Sequence, residues 1–168
     1  MIRAFATPAF LILALLGAGC QTPPSAPPPL APLVARFYLE TKPGDAGVPV
    51  TLPQSGLTIT VAPKPVLVEY DIVNAEIAQV ELGRCLLVQV SPAAARDLYR
   101  LTVSAMGRRL LLAVNDQFVG ARPIDAALAE GVVFIFLEMP DDQLPELVAR
   151  LKLTSANLAA AAHEARKP

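Results

Sequence analysis

Short runs of β-forming residues open the part of the chain that follows residue 33. The runs cover residues 34–40, 50–52 and 57–61, and prolines at positions 43, 53, 63 and 65 break up this half of the chain. Proline has no N–H to donate to a β-ladder and is therefore rare in central strands. We expect this half to form edge strands and connectors.

The pattern becomes regular from Ile72 onward and predicts a hairpin followed by a helix. Residues 72–82 are expected to form one strand, residues 83–84 a tight turn and residues 85–90 the partner strand. Ser91 can cap a helix in which Pro92 is the first residue. This helix ends at a glycine, position 107, and its apolar residues recur at steps of four, three and four: Ala94, Leu98, Leu101 and Ala105.

A second hairpin, a further strand and a second helix follow. The Asn115-Asp116 pair tolerates the positive φ angles of a two-residue turn between strands at 110–114 and 117–121. The unbroken apolar run at 132–137 is typical of a strand covered on both faces. The last helix has Asp141 or Asp142 as its expected cap, Pro145 in its first turn, and one apolar stripe: Leu144, Leu147, Val148 and Leu151.

The element order from Ile72 is therefore β-β-α-β-β-β-α, and each helix has a single apolar face. Two helices packed on one face of a mostly antiparallel sheet satisfy this order, so the expected fold class is α+β, of a ferredoxin-like kind. We place the folded domain at residues 34–153. An alanine-rich tail at 154–168 is expected to be a frayed helix.

Residues 1–19 have the features of an export signal. Arg3 gives a positive start, residues 10–16 form an apolar core, and small residues lead to Cys20. The segment resembles a bacterial lipoprotein signal, which implies cleavage before Cys20, diacylglycerol on its thiol, and a protein anchored in the envelope facing the periplasm. Glutamine at position 21 then favours the outer membrane. The alternative is an ordinary cleaved signal, which leaves Cys20 as a free thiol or removes it.

Residues 20–33 are predicted to be a tether between this anchor and the domain. Six of the thirteen residues from position 21 to position 33 are proline. Such a segment favours polyproline geometry at about 3.1 Å per residue, which gives a spacer of roughly 40 Å. A ligand for a proline-binding module is the alternative interpretation.

Charge and composition exclude several functions. With 14 basic and 15 acidic residues the formal net charge is −1, which gives no electrostatic basis for nucleic-acid binding. Two cysteines and one histidine leave little for metal sites or nucleophile-base pairs, so we expect no metal, no cofactor and no enzyme activity. Cys85 is expected to be a buried, inert thiol and His163 a solvent-exposed side chain.

Four arginines are the candidate binding residues. Arg96 and Arg100 are four apart on the polar face of the first helix, and Arg108 and Arg109 follow its end, so together they can form a small anion-binding or partner-binding patch. The alternative is a solvated face that benefits from the helix dipole. Two phenylalanines, Phe134 and Phe136, are spaced to share one sheet face and are predicted to be core residues.

Residues 91–152 resemble the head region of the first periplasmic domain of SecD, a component of the bacterial protein-export machinery. In that family a helix ends in a glycine and a basic residue, a strand and hairpin turn follow, and a glycine precedes the next strand and a leucine-rich helix. Arg36-Phe37 and Asp71-Ile72 with Ala75 extend the resemblance to residues 34–152. The other matching positions are Gly107, Arg108, Arg109, Leu110, Asn115, Asp116, Ala121, Pro123, Ile124, Gly131 and the helix 142–152.

The resemblance implies a non-catalytic domain that contacts polypeptides or another envelope protein. Asp116 replaces the usual glycine of the family's hairpin, and the transmembrane helices that couple SecD to the proton gradient have no counterpart, so energy-coupled movement is not implied. A sheet edge, or a groove beside the first helix, can receive an extended polypeptide through main-chain hydrogen bonds.

Two other functions remain open from the sequence. Carboxylates such as Asp71, Asp125 and Glu138 can support acid-base chemistry in a small hydrolase or a ligand-binding protein if they converge. The third interpretation is a purely structural domain that pairs with itself.

Overall fold

The computed structural model describes residues 31–165, so Cys20, the signal and most of the predicted tether lie outside the described residues. The described part contains eight strands, two helices and one 3₁₀ turn at Glu69–Asp71. The helices are α1 (Pro92–Ser104) and α2 (Leu144–Glu164). The strands are β1 (Ala35–Leu39), β2 (Val48–Thr51), β3 (Thr58–Val61), β4 (Ile72–Val80), β5 (Gly83–Val90), β6 (Arg109–Val114), β7 (Gln117–Pro123) and β8 (Val132–Ile135).

The strands form three antiparallel sheets. Their orders are β1-β6-β7, β4-β5-β8 and the two-stranded β2-β3. The α+β class and the element order from Ile72 are confirmed, but three small sheets replace the one sheet expected. The proline-rich half supplies the edge strand β1 and the separate β2-β3 pair, as its prolines predicted.

Backbone contacts join the three sheets to one another. The N–H of Phe37 in β1 donates to Leu67, and Glu40 bridges Val61 of β3. Beyond β8, Gly120 of β7 bridges Leu137, and the N–H of Glu138 donates to the carbonyl of Val119 over 2.6 Å. The two three-stranded sheets therefore meet along β7.

Local sequence signals account for α1 and for the second hairpin. The Ser91 hydroxyl accepts from the N–H of Ala94 at 3.3 Å, and Pro92 begins the helix. After the helix, Gly107 has a φ of 79°, which suits a glycine at a helix end. Asn115 and Asp116 have φ angles of 48° and 64°, so they form the turn between β6 and β7 that was predicted.

The first hairpin differs slightly from the prediction. Its turn lies at residues 81–82, and Gly83 is the first residue of β5. The predicted turn at residues 83–84 is thus displaced by two residues. Gly83 follows this turn and has a φ of 121°, a backbone conformation that glycine adopts more readily than other residues.

The region from residue 132 onward corrects three predictions. Phe134 and Phe136 are 40% and 41% exposed, so neither is a core residue and β8 is covered on one face only. Neither Asp141 nor Asp142 caps α2, because both precede the N-cap residue, Gln143, which makes no side-chain cap. The alanine-rich segment is helical, as predicted, and continues α2 without a break to Glu164, in keeping with the high helix propensity of alanine.

One main cluster of buried apolar residues forms the core. The predicted stripe of α2 is buried in it, and α2 packs against β4. A second cluster, made of Leu52, Ile59, Val61 and Leu111, lies beneath β2-β3. The largest fully buried side chains of the main cluster include Phe37, Leu86, Leu98, Leu110, Leu112 and Ile135.

The chain is fastened to α2 where it enters the domain. The N–H of Leu33 donates to the Thr154 hydroxyl at 2.9 Å, and that hydroxyl donates to the Leu33 carbonyl at 2.9 Å. Leu33 and Thr154 are both buried. The packed domain therefore begins at Leu33, which was predicted to be the last tether residue, and includes Thr154, which was predicted to begin the tail.

Candidate functional site

The outer edge of β4 is the most extended unpaired backbone in the described part of the chain. β4 has nine residues and pairs with β5 on one side only. Between Val73 and Gln79, no backbone N–H or carbonyl on the other side bonds to any residue in the range 31–165. Because unpaired strand groups are strong hydrogen-bonding groups, this edge offers a template for another strand.

The register shows which backbone groups point outward. The N–H of Ser91 donates to the carbonyl of Asp71, which precedes β4, whereas the N–H of Val90 donates to the carbonyl of Gly131, which precedes β8. Successive residues of β5 therefore direct their backbone groups alternately toward β4 and toward β8. In the register that pairs Glu76 with Leu87, the groups of residues 74, 76, 78 and 80 are directed to β5. The outward groups are those of Ala75, Ile77 and Gln79. Ala75 is fully buried and α2 packs against β4, so the accessible part of this edge is the end at Ile77 and Gln79.

Other strand edges of the described chain are closed or short. Arg122 donates to the outward carbonyl of Phe134 in β8, and β8 runs on into the bridge with β7. β2 is four residues long and contains Pro49, a residue that blunts an edge. β4 has no proline or lysine. A bulge at Val73 and the packing of α2 protect the part of the edge up to Ala75, and the part beyond it remains accessible.

The four candidate arginines divide into two pairs. Arg96 and Arg100 line a groove of about 790 Å³ between α1 and the segment at residues 129–130, together with Tyr99 and Glu130. Arg108 and Arg109 line a different, polar depression of about 410 Å³. The structure therefore does not bring the four predicted residues into one patch.

The second pair of arginines has structural partners. Both Nε and Nη2 of Arg108 donate to the carbonyl of Glu40, and Arg109 forms an ion pair with the Glu40 carboxylate at 3.0 Å. These contacts join the start of β6 to the end of β1.

Arg100 of the first pair forms only an exposed ion pair with Asp97 at 3.6 Å, which contributes little to stability.

The three carboxylates of the hydrolase interpretation each have a local role. Asp71 accepts from the N–H of Val68 at 2.9 Å, and Asp125 lies 3.8 Å from Arg122. Glu138 accepts from the N–H groups of Gln54 and Ser55 and from the Ser55 hydroxyl. None of the three lines the α1 groove or the polar depression, the two cavities that hold the candidate arginines.

Glu138 fixes the loop between β2 and β3. Partial burial acts to raise the pKa of this carboxyl, but the hydrogen bonds from the Ser55 side chain and from the N–H groups of Ser55 and Gln54 outweigh burial and lower it. Arg36 hydrogen-bonds to Glu69 at 3.0 Å and lowers the pKa of that carboxyl against a smaller effect of burial. Both carboxylates therefore favour the folded state when they are ionised.

These two shifts predict a loss of stability in acid. A carboxyl whose pKa is lower in the folded than in the unfolded chain contributes stability above its ordinary value near 4.5, and that contribution disappears as the pH falls through the folded pKa. Thermal unfolding should show a falling Tm below pH ~4.5. Glu138→Gln should lower the Tm at neutral pH and reduce this acid dependence, whereas Glu164→Gln at the exposed end of α2 should change neither. An unchanged acid dependence in Glu138→Gln contradicts the assignment.

Cys85 and His163, the cysteine and histidine within residues 31–165, line neither of the two cavities that hold the candidate arginines. Cys85 is buried, as predicted, and burial raises the pKa of its thiol. His163 is exposed near the end of α2. Within residues 31–165 no group of three or more metal-ligating side chains comes together. No helix of the described range is long and apolar enough to cross a membrane.

Comparison of the fold with solved structures identifies its architecture. One similar structure is that of SecDF, described as a membrane component that enhances protein export, with a TM-score of 0.54 and 20% identity over 75% of this chain. The described chain has a SecDF-like fold. SecDF in a super-membrane-facing form is also similar, with a TM-score of 0.54 and 18% identity over 73% of this chain.

The SecDF-like chain matches only part of each of those proteins. It covers 63% of the first SecDF chain and 18% of the second. No protein-family model matches the sequence, and no curated protein matches it. The fold expected from the SecD resemblance is therefore confirmed by shape, while activity and partners are not carried over with it.

Sequence reasoning predicted the β4 strand but not its open edge. Either β4 or β5 could be the edge strand of this sheet, depending on which of them β8 joins. Residues 132–135 of β8 pair with β5, and this pairing leaves β4 at the edge. The available signal was compositional: residues 72–80 lack the lysine and proline that commonly protect edges.

Proposed function

We propose that this SecDF-like domain binds extended polypeptides in connection with protein export, and that the outer edge of β4 receives them by strand addition. The observation that carries the proposal is the pair of accessible outward residues Ile77 and Gln79, whose backbone groups bond to nothing in residues 31–165. The likeness in fold to SecDF, a protein described as enhancing export, supports the same process.

Main-chain pairing suits a ligand whose sequence varies. The two accessible outward residues offer up to four hydrogen bonds, each with a net contribution of about 0.5–1.5 kcal/mol, which corresponds to weak and reversible binding. Side chains beside the edge add limited selectivity: Val73 is exposed and apolar, while Glu76 and Gln79 are exposed and polar. The proposal assigns no reaction to the chain.

The proposal also places the domain at a membrane surface of the cell envelope. Residues 1–19 have the charge and apolar pattern of an export signal, and Cys20 is the proposed point of lipid attachment. The proline-rich segment then spaces the domain from the bilayer. Weak polypeptide binding is more useful there than in free solution, because tethering raises the local concentration of the site.

Amide hydrogen exchange tests strand addition with a control built into β4. In the free protein the outward amides of Ile77 and Gln79 should exchange fast, and the inward amides of Glu76 and Ala78 slowly. A reduced, carboxymethylated, permanently unfolded protein added as ligand should slow the outward amides and leave the inward ones unchanged.

A variant pair separates main-chain recognition from side-chain contact. Gln79→Pro removes one outward N–H without removing a bond to β5, whereas Gln79→Ala keeps that N–H. Binding of the unfolded protein should weaken several-fold in Gln79→Pro and stay near wild type in Gln79→Ala. Equal binding by both variants, or outward amides whose exchange the ligand does not change, rejects the proposal.

A further inference from the structure

The outward side of α1 carries apolar side chains that the core does not use. Tyr99 and Val103 on α1 and Met106 in the turn after it are 45%, 53% and 50% exposed. Tyr99 and Val103 are four residues apart and so lie on one side of the helix, and Met106 follows them in the turn; the three are here called the α1 stripe. The helix buries a different side through Ala94, Leu98 and Thr102.

Two cationic side chains flank the α1 stripe. Arg96 and Arg100 lie beside Tyr99 along the same groove, where Glu130 is the acidic neighbour. Arg96 has no ion pair within residues 31–165, and the single partner of Arg100, Asp97, is itself largely exposed. Apolar and aromatic residues bordered by arginine are the pattern of helices that lie in a membrane interface.

The length of the tether permits contact between this face and the anchoring bilayer. Ten residues lie between Cys20 and Ala31, which makes eleven residue-to-residue steps, and the Nε of Arg150 in α2 donates to the Ala31 carbonyl at 3.0 Å. At about 3.1 Å per residue this segment spans roughly 34 Å, and a domain of this size has a radius of gyration of only about 14 Å. The tether is about as long as the domain is wide, so the domain can turn faces other than the one beside Ala31 toward the surface to which Cys20 is attached.

We propose that the α1 stripe docks on the anionic headgroups of the bilayer that anchors the protein. Tyr99, Val103 and Met106 enter the boundary between headgroups and acyl chains, and Arg96 and Arg100 bind lipid phosphates. The contact is too small to hold a free protein, but a short tether makes docking an intramolecular step at millimolar effective concentration. The inference rests on the proposed anchor only for proximity, and the β4 edge is not part of this surface.

A single tryptophan provides a direct readout, because the chain contains none. The chain from Cys20 to Pro168 keeps every described residue, and Cys85 is buried, so a maleimide phospholipid will couple to Cys20. This chemical anchor makes the test independent of natural lipidation. Tyr99→Trp reports on the α1 stripe, and Tyr70→Trp is the matched control at a tyrosine that is 71% exposed on the 3₁₀ turn.

The anchored variants are compared on vesicles of phosphatidylglycerol and phosphatidylcholine in equal parts, with brominated acyl chains as quencher. We expect Tyr99→Trp to shift its emission to the blue and to be quenched at least about twofold more than Tyr70→Trp. Quenching should fall on pure phosphatidylcholine, with added salt, and in Tyr99→Trp carrying Arg96→Gln and Arg100→Gln, whose circular dichroism should match the parent.

Equal quenching of Tyr99→Trp and Tyr70→Trp on the anionic vesicles overturns membrane docking. So does a blue shift of Tyr99→Trp that appears only when the unfolded polypeptide is added, because that result assigns the α1 stripe to a protein ligand. Amide exchange along β4 answers a separate question, so the failure of either proposal is recognisable without the other.

Discussion

Phe37→Ala should destabilise the domain by about 3–5 kcal/mol, a large share of the roughly 5–15 kcal/mol that stabilises an ordinary domain. Phe37 in β1 is fully buried, and its backbone also pairs with Leu67, so its ring fills the core where β1 meets the segment before β4. Truncation leaves a cavity that this doubly paired backbone cannot close. Urea unfolding followed by circular dichroism measures the loss.

Phe136→Ala is the matched control for this truncation. The sequence predicted Phe136 as a core residue, whereas the structure leaves it 41% exposed. We expect a loss of no more than about 1 kcal/mol, because much of the ring is already in water. Equal losses for the two variants contradict the burial described for the β8 region.

Gly120→Ala should cost about 3 kcal/mol and should loosen the junction between the two three-stranded sheets. A Cβ atom at Gly120 would lie 2.5 Å from the carbonyl oxygen of Phe136 and 3.0 Å from Cδ2 of Leu137. The nearer atom belongs to the backbone, so relief requires the strands to move apart. Denaturant unfolding measures the cost, and faster exchange of the Glu138 amide, which donates to Val119, reports the loosening.

Gly56→Ala separates this clash from ordinary backbone strain. Gly56 has a φ of 66° but no atom within 4 Å of its potential Cβ. Alanine there should cost about 1 kcal/mol through its left-handed conformation alone. The Glu138 amide should keep its slow exchange. If Gly120→Ala costs no more than Gly56→Ala and leaves that amide protected, the strand junction is wrong.

The two proposed surfaces bind their ligands through different groups, the backbone at β4 and the side chains at α1. The β4 edge uses outward amides and carbonyls, which bind polypeptides with little regard to sequence. The α1 stripe uses apolar and cationic side chains, which bind an anionic lipid surface.

Local signals were sufficient wherever neighbouring residues decide the conformation. The Ser91 cap, the Pro92 start and the Asn115-Asp116 turn were all predicted, because each depends on the backbone of a few adjacent residues. Prediction failed for Phe134 and Phe136, since burial depends on which element covers a strand. It also failed for the α2 cap, where Pro145 and the preceding turn fix the helix start one residue after Gln143.

The candidate site shows the same division. The four arginines were visible in the sequence, but spacing along the chain does not reveal that Glu40, nearly seventy residues away, engages Arg108 and Arg109. The carboxylates Asp71, Asp125 and Glu138 were equally visible, yet loops and turns distant from any common pocket hold them. Convergence of side chains is a long-range property.

The sequence by itself determined the α+β class, the element order from Ile72, the helix with its serine cap and the positive-φ hairpin turn, because hydrophobic period and turn chemistry act over a few residues. Only the tertiary structure decided that the strands form three sheets, that β8 joins β5 and leaves β4 at an edge, and that Tyr99, Val103 and Met106 face outward. Strand order and burial are set by contacts between residues far apart in the chain, and no local pattern specifies them.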